Sequence, residues 1–135
     1  MPDQTLIGGC FCGKVRYRGA GLLYPATLCH CHSCRHAAGA HAVAWATVRR
    51  ADFKFEQGPP VEHASTPAVR RTFCGDCGTP LTYWRQDRAD EIDVTIGSLD
   101  DPDAIAPIDH IWMEDAPVWD RLVDSLPRHP RLRER

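Results

Sequence analysis

The sequence predicts a single, mainly β domain, and three observations predict it. The chain has 135 residues, a length that suits one domain with a modest core. Its apolar residues recur with a period of two rather than 3.6. Glycine and proline clusters divide these runs into pieces of strand length.

In chain order, Val15 and Tyr17 alternate with Lys14, Arg16 and Arg18. Val43, Trp45 and Thr47 share one face of a run from His41 to Val48. Phe53 and Phe55 alternate with Lys54 and Glu56, and Val61–Ser65 and Val69–Phe73 are weaker strands. Leu81 and Tyr83 alternate with Thr82 and Trp84, then Ile92, Val94 and Ile96 with Glu91, Asp93 and Thr95. Each run is short and half apolar, as in antiparallel strands with one covered face. Gly8-Gly9, Gly19-Ala20-Gly21, Gly58-Pro59-Pro60, Gly75 and Gly97-Ser98 read as turns. One short helix is expected around Ser33–Ala38, with Ser33 as N-cap and Gly39 as stop. A turn is expected over Asp100–Asp103, and a short helical piece over Pro117–Leu126. The domain is expected over residues 1–130, with 131–135 as a frayed basic tail.

Composition excludes several classes. The chain is 43% hydrophobic and 25% charged, with a formal net charge of −2, so no nucleic-acid partner is expected. The longest uninterrupted apolar run, Ala42–Ala46, is too short to span a membrane. Met1–Gly9 lacks the basic and apolar segments of a secretory signal, so the expected location is cytoplasmic. Charge is unevenly placed: residues 1–86 carry ten Lys or Arg against five Asp or Glu, and residues 87–124 two against twelve.

The outlying number is seven cysteines. An odd count excludes full disulfide pairing, and a reducing compartment favours metal-ligating, redox or catalytic roles. Their spacing makes three groups: Cys10-Phe11-Cys12, Cys29-His30-Cys31-His32-Ser33-Cys34 and Cys74-Gly75-Asp76-Cys77. A Cys-x-x-Cys turn closed by glycine, here Gly78, aims two sulfurs at one point. Cys10 and Cys12 supply the matching half, giving a closed four-thiolate site of the structural zinc kind. A redox dithiol at Cys74 and Cys77 is the alternative, but no strand–helix–strand pattern surrounds it.

The middle group offers three thiolates within six residues. Three protein ligands leave one tetrahedral position open, as catalytic zinc sites do. A zinc with three thiolates is formally anionic, so it is a poor generator of hydroxide and better suited to one more soft ligand, such as a substrate thiolate. Closure by a histidine remains open at this stage. His30 and His32 alternate away from the cysteines in an extended chain, whereas His36 and His41 are harder to exclude. A single cluster of all seven cysteines is a further alternative.

The order Gly9-Cys-Phe-Cys-Gly13, Cys29-His-Cys-His-Ser-Cys-Arg35 and Phe73-Cys-Gly-Asp-Cys-Gly-Thr79 resembles the glutathione-dependent formaldehyde-activating enzyme family, which also includes centromere protein V. The resemblance continues through Gly97-Ser-Leu-Asp100, Pro107, His110-Ile-Trp112, Trp119 and Leu126-Pro127, and covers roughly residues 6–130. It implies a β-tent-type zinc fold with two zinc ions per chain, one structural on Cys10, Cys12, Cys74 and Cys77. It implies a second zinc on Cys29, Cys31 and Cys34, where glutathione enters. The implied activity is that of a carbon–sulfur lyase run backwards, joining formaldehyde and glutathione as S-hydroxymethylglutathione.

At that second site Cys29, Cys31 and Cys34 are the expected catalytic residues. Arg35 and His110 are the candidate substrate contacts, with Arg49, Arg50, Arg70 and Arg71 as alternative cations for an anionic thiol. His30, His32, His41 and His110 are candidate proton donors, and Trp45 and Trp112 candidate core or pocket wall. Two other readings remain: a glutathione or thiol carrier without turnover, and a zinc-stabilised interaction module whose only visible support is the basic segment Arg128–Arg135.

Overall fold

A computed structural model of the protein describes residues 4–120 and 124–134. Among the described residues ten strands and one α-helix follow one another as β1 (Thr5–Gly9), β2 (Arg16–Ala20), β3 (Leu22–Cys29), α1 (His32–Ala38), β4 (Val43–Arg49), β5 (Phe53–Gln57), β6 (Val61–Thr66), β7 (Val69–Phe73), β8 (Pro80–Arg85), β9 (Glu91–Thr95) and β10 (His110–Ile111). They form a three-stranded sheet, β1-β2-β5, and a seven-stranded sheet, β10-β3-β4-β9-β8-β7-β6. All pairings are antiparallel except β10 with β3, which is parallel. This is the mainly β fold that the alternation predicted. Among the described residues no helix is long and apolar enough to cross a membrane.

The large sheet owes its two faces to strand alternation. Ala46 and Val48 of β4, Ile92 and Val94 of β9 and Leu81 of β8 pack into one core with Leu6, Tyr17 and Phe53 of the small sheet. The intervening side chains, Trp45 and Thr47, Glu91 and Asp93, and Tyr83, face the other way and line a cavity. Ladder pairs Thr47↔Asp93, Tyr83↔Asp93 and Arg71↔Tyr83 put four strands in register across its floor.

Several elements depart from expectation. Gly8-Gly9, read as a turn, lies inside β1, where close approach requires glycine. A Cβ on Gly8 would sit 2.4 Å from the Ser98 carbonyl oxygen and 2.5 Å from the Tyr17 hydroxyl. Gly8→Ala is therefore expected to lower stability by about 2–3 kcal/mol through overpacking. Urea unfolding checks this, and a loss under about 0.5 kcal/mol, the ordinary surface range, refutes the clash. β3 is not visible as alternation because its register shifts twice, between Leu22 and Tyr24 and between Tyr24 and Thr27, around Pro25. The α1 N-cap is Cys31 rather than Ser33: the Cys31 sulfur accepts the Cys34 amide at 3.2 Å. Gly39, left-handed at φ 62°, ends the helix as expected.

The segment over Pro117–Leu126 is not helical where it is described; Asp120 N donates to Pro117 O in a turn at 3.0 Å, and residues 121–123 lie outside the described residues. The basic segment expected to fray is instead tied down. His110 N donates to Pro127 O at 2.8 Å, His129 N to His110 O at 2.8 Å and Trp112 N to Arg131 O at 3.0 Å. The Arg133 guanidinium pairs with buried Asp109 at 3.2 Å and donates to Pro25 O. Charge that would be solvated in an isolated tail here satisfies a buried carboxylate and a bulge carbonyl.

Candidate functional site

The seven cysteines are all free thiols and fall into two groups. Cys10, Cys12, Cys74 and Cys77 form one; Cys29, Cys31 and Cys34 form the other, and within each the sulfurs lie within 4.8 Å of one another. A single seven-cysteine cluster is thereby excluded.

Two matching turns build the four-sulfur group. Gly13 and Gly78, at φ 83° and 82°, close them in the left-handed conformation, and their amides return to Cys10 O and Cys74 O at 3.1 and 2.8 Å. A tetrahedral zinc with Zn–S near 2.3 Å separates its sulfurs by about 3.8 Å. Cys10–Cys12 and Cys12–Cys74 are 3.6 and 3.7 Å apart. Backbone amides support the thiolates: Val15 N donates to Cys10 at 3.2 Å, and Asp76 N and Cys77 N to Cys74 at 3.4 Å. The Thr79 hydroxyl, then the Thr79 and Cys12 amides, pull the Cys77 thiol down to about 5. The donor set and its spacing fit one tetrahedral metal ion.

The three-sulfur group sits where β3 runs into α1. Cys29 is the last residue of β3, Cys31 the helix cap and Cys34 the inward-facing residue of the first turn. The hydrogen bond from Cys29, then that from Cys34, hold the Cys31 thiol near 2, with the Arg71 charge adding to the effect. The same Cys31 contact pushes the Cys29 thiol up. Among the described residues no histidine joins the group. A metal ion here would have three protein ligands.

All three sulfurs line the wall of a cavity of about 310 Å³. Arg71, Arg85 and Arg88 supply its positive charge; Glu91, Asp93 and Asp115 its negative charge. The Arg71 guanidinium lies 4.7 Å from the centre of the Tyr83 ring, and Arg85 is paired with Asp87 at 2.6 Å. Thr27 Oγ1 and Trp45 Nε1, buried polar atoms of cavity residues, have no hydrogen-bond partner among the described residues.

Of the expected cations only Arg71 lines this cavity. Arg35 does not: Cys34 faces inward, and one residue further round the helix Arg35 lines a separate groove with Pro117 and Trp119. His110 does not either. Its neighbour Ile111 takes the cavity face of β10, so His110 points to the opposite side and is fully buried. There His110 Nδ1 meets His30 Nε2 at 2.9 Å, with Asp124 3.0 Å from His110 and Asp120 3.3 Å from His30. Burial, with His110 adding to it and Asp120 opposing, holds His30 below its ordinary pKa. This four-residue chain braces the cysteine loop from behind. His41 lies in the Trp119 groove, and His32 is the only candidate proton donor that reaches the cavity. Arg85, Arg88 and Leu132 are additional to the expected residues; Arg85 shares the parity of Tyr83 on β8, a signal the sequence carries, whereas Arg88 lies beyond that strand.

A family model described as glutathione-dependent formaldehyde-activating enzyme matches residues 5–115. The fold is similar to that of a solved structure titled as a Rhodobacter sphaeroides protein, with 25% identity and a TM-score of 0.60 over 70% of this chain and 88% of that one. No curated protein matches significantly.

Proposed function

The chain belongs to the glutathione-dependent formaldehyde-activating enzyme family, and from that premise we propose that it adds the sulfur of glutathione to formaldehyde at the Cys29–Cys31–Cys34 group. The product is an S-hydroxymethyl adduct, and the reaction is that of a carbon–sulfur lyase run in the direction of synthesis. One observation carries the reading: four cysteines close on one another, whereas the other three open onto a cavity that also holds three arginines. Zinc suits both donor sets, and the expected location is cytoplasmic.

Zinc on Cys29, Cys31 and Cys34 would supply an open position for a thiol bound as thiolate. The protein's own residues do the rest. Arg71, held on the Tyr83 face, and Arg88 offer charge-assisted hydrogen bonds to the carboxylates of the thiol peptide. Glu91 and Asp93 offer partners to its ammonium group. Trp45 and Tyr83, with ring centres 6.0 Å apart, exclude water from the floor. His32, at the mouth of the helix, is placed to pass a proton to the oxygen of the adduct. Arg35 and His110 act through the loop they sit on or behind, not by touching the thiol.

Titration calorimetry of glutathione into the zinc-loaded protein and into Cys31→Ser tests the reading. At least a tenfold loss of affinity is expected in the variant, since a zinc-bound thiolate loses its metal partner. Equal affinities would sink it.

A further inference from the structure

The cavity has a half that neither glutathione nor formaldehyde explains. Glutathione is a polar peptide whose only apolar atoms near the sulfur are a methylene group, and formaldehyde has one carbon. Yet Trp45, Tyr83, Ile111, Trp112 and Leu132 give the cavity an apolar side.

Two features show that this side is built. Trp112 is the sole non-glycine residue with positive φ among the described residues, at 58°. That backbone state costs roughly 1–2 kcal/mol for a residue with a Cβ. It is held by the Trp112 amide donating to Arg131 O at 3.0 Å, and Met113 N and Glu114 N continue the pattern onto His129 O and Pro130 O at 2.9 and 3.0 Å. The next residue along that strap, Leu132, lines the cavity and is 46% exposed. The strap is fixed on both sides of Leu132, by Arg131 on Glu114 at 2.8 Å and by Arg133 on buried Asp109 at 3.2 Å. Residues 127–133 thus hold a strained tryptophan and add a leucine beside the sulfurs, and they lie beyond the residues 5–115 that the family model matches.

We propose that, beside formaldehyde, this protein takes aldehydes that carry an apolar side chain, seated against Trp112 and Leu132. This rests on the thiol–aldehyde reading and names the class of its second substrate. The thiolate sulfur forms a bond to the carbonyl carbon, and the carbonyl π pair moves to oxygen. The proton released by the thiol returns to that oxygen, so no group leaves and nothing is oxidised. The side chain of the aldehyde, now attached through carbon to sulfur, lies along the apolar wall.

Thioethers that resemble such adducts provide the test. Glutathione, S-methylglutathione and S-hexylglutathione are titrated separately into the zinc-loaded full chain and into Leu132→Ser, with heat and tryptophan fluorescence as readouts. The wild-type protein should bind the hexyl compound at least about tenfold more tightly than the methyl compound, from burial of its extra methylenes. In Leu132→Ser that ratio should fall below about threefold, since one of the two side chains that seat the alkyl group is lost. If glutathione binds but the hexyl compound gains nothing over the methyl compound, the proposal is overturned and the thiol reading stands. A ratio unchanged in Leu132→Ser overturns the role of the strap. If glutathione itself does not bind, the thiol reading fails and this proposal fails with it. Leu132 is half exposed and makes no buried hydrogen bond through its side chain, so the variant is expected to fold; its thermal transition checks this.

Discussion

Stripping metal from the four-sulfur group, or replacing Cys74 with serine, is expected to unfold the protein. Metal binding at a structural zinc site is worth roughly 10–16 kcal/mol in small peptides. The net stability of a domain is about 5–15 kcal/mol, so losing the ion removes as much as the fold has. Geometry makes the coupling direct. Cys10 and Cys12 follow β1, Cys74 and Cys77 sit between β7 and β8, and 62 residues separate Cys12 from Cys74. An ion held there would fasten the small sheet to the large one. Cys74 is fully buried, so Cys74→Ser also leaves a hydroxyl without its solvent. The measurement is far-ultraviolet circular dichroism and thermal unfolding with and without a strong chelator. Loss of the cooperative transition is expected. Cys31→Ser, whose ligand set lies within six residues of one segment, should keep its transition within several degrees. A chelated protein that melts cooperatively at its original temperature would refute the structural role.

Arg71→Ala should weaken glutathione binding by about 10–100-fold, the equivalent of one lost charge-assisted hydrogen bond of about 1.5–3 kcal/mol. Arg71 is the cavity cation that reaches the sulfurs electrostatically: its charge lowers the Cys31 thiol. Its guanidinium is pre-positioned on the Tyr83 ring, so little ordering cost is left to binding. The comparison ligand is 2-mercaptoethanol, a thiol without carboxylates, whose affinity should change less than threefold in the variant. Calorimetry of both thiols reads the difference. Equal losses for the two would assign Arg71 to the metal group rather than to the carboxylate. No loss for either would remove it from the site.

Much of this was legible in the sequence, and the exceptions have physical causes. β2, β4, β5, β8 and β9 showed themselves because each has one face on the core and one on the cavity or solvent, which enforces alternation. The two cysteine groups were legible because metal-ligand turns need fixed spacing. β3 was hidden because Pro25 and its bulges break the parity, and β10 because two residues in a parallel pair carry no periodic signal. The cations were harder. Arg35 adjoins Cys34 in sequence, but a helix turns it away. Arg70 and Arg71 are equivalent in composition, and only the register Arg71↔Tyr83 decides which faces the sulfurs. Leu132 reads as tail because the partners that fix its neighbour Arg133, Asp109 and Pro25, are distant in the chain.

The parallel pairing of β10 with β3 has a consequence for synthesis. Cys29, Cys31 and Cys34 leave the ribosome early, whereas β10 and the strap ending at Arg133 that wall them in come about 80–100 residues later. At about 5–20 residues per second the delay is roughly 5–20 s. During that interval the three sulfurs stand on an unfinished sheet, open to the metal and thiol pools around the nascent chain. An ion that these sulfurs hold would thus be able to reach them before the cavity wall is complete.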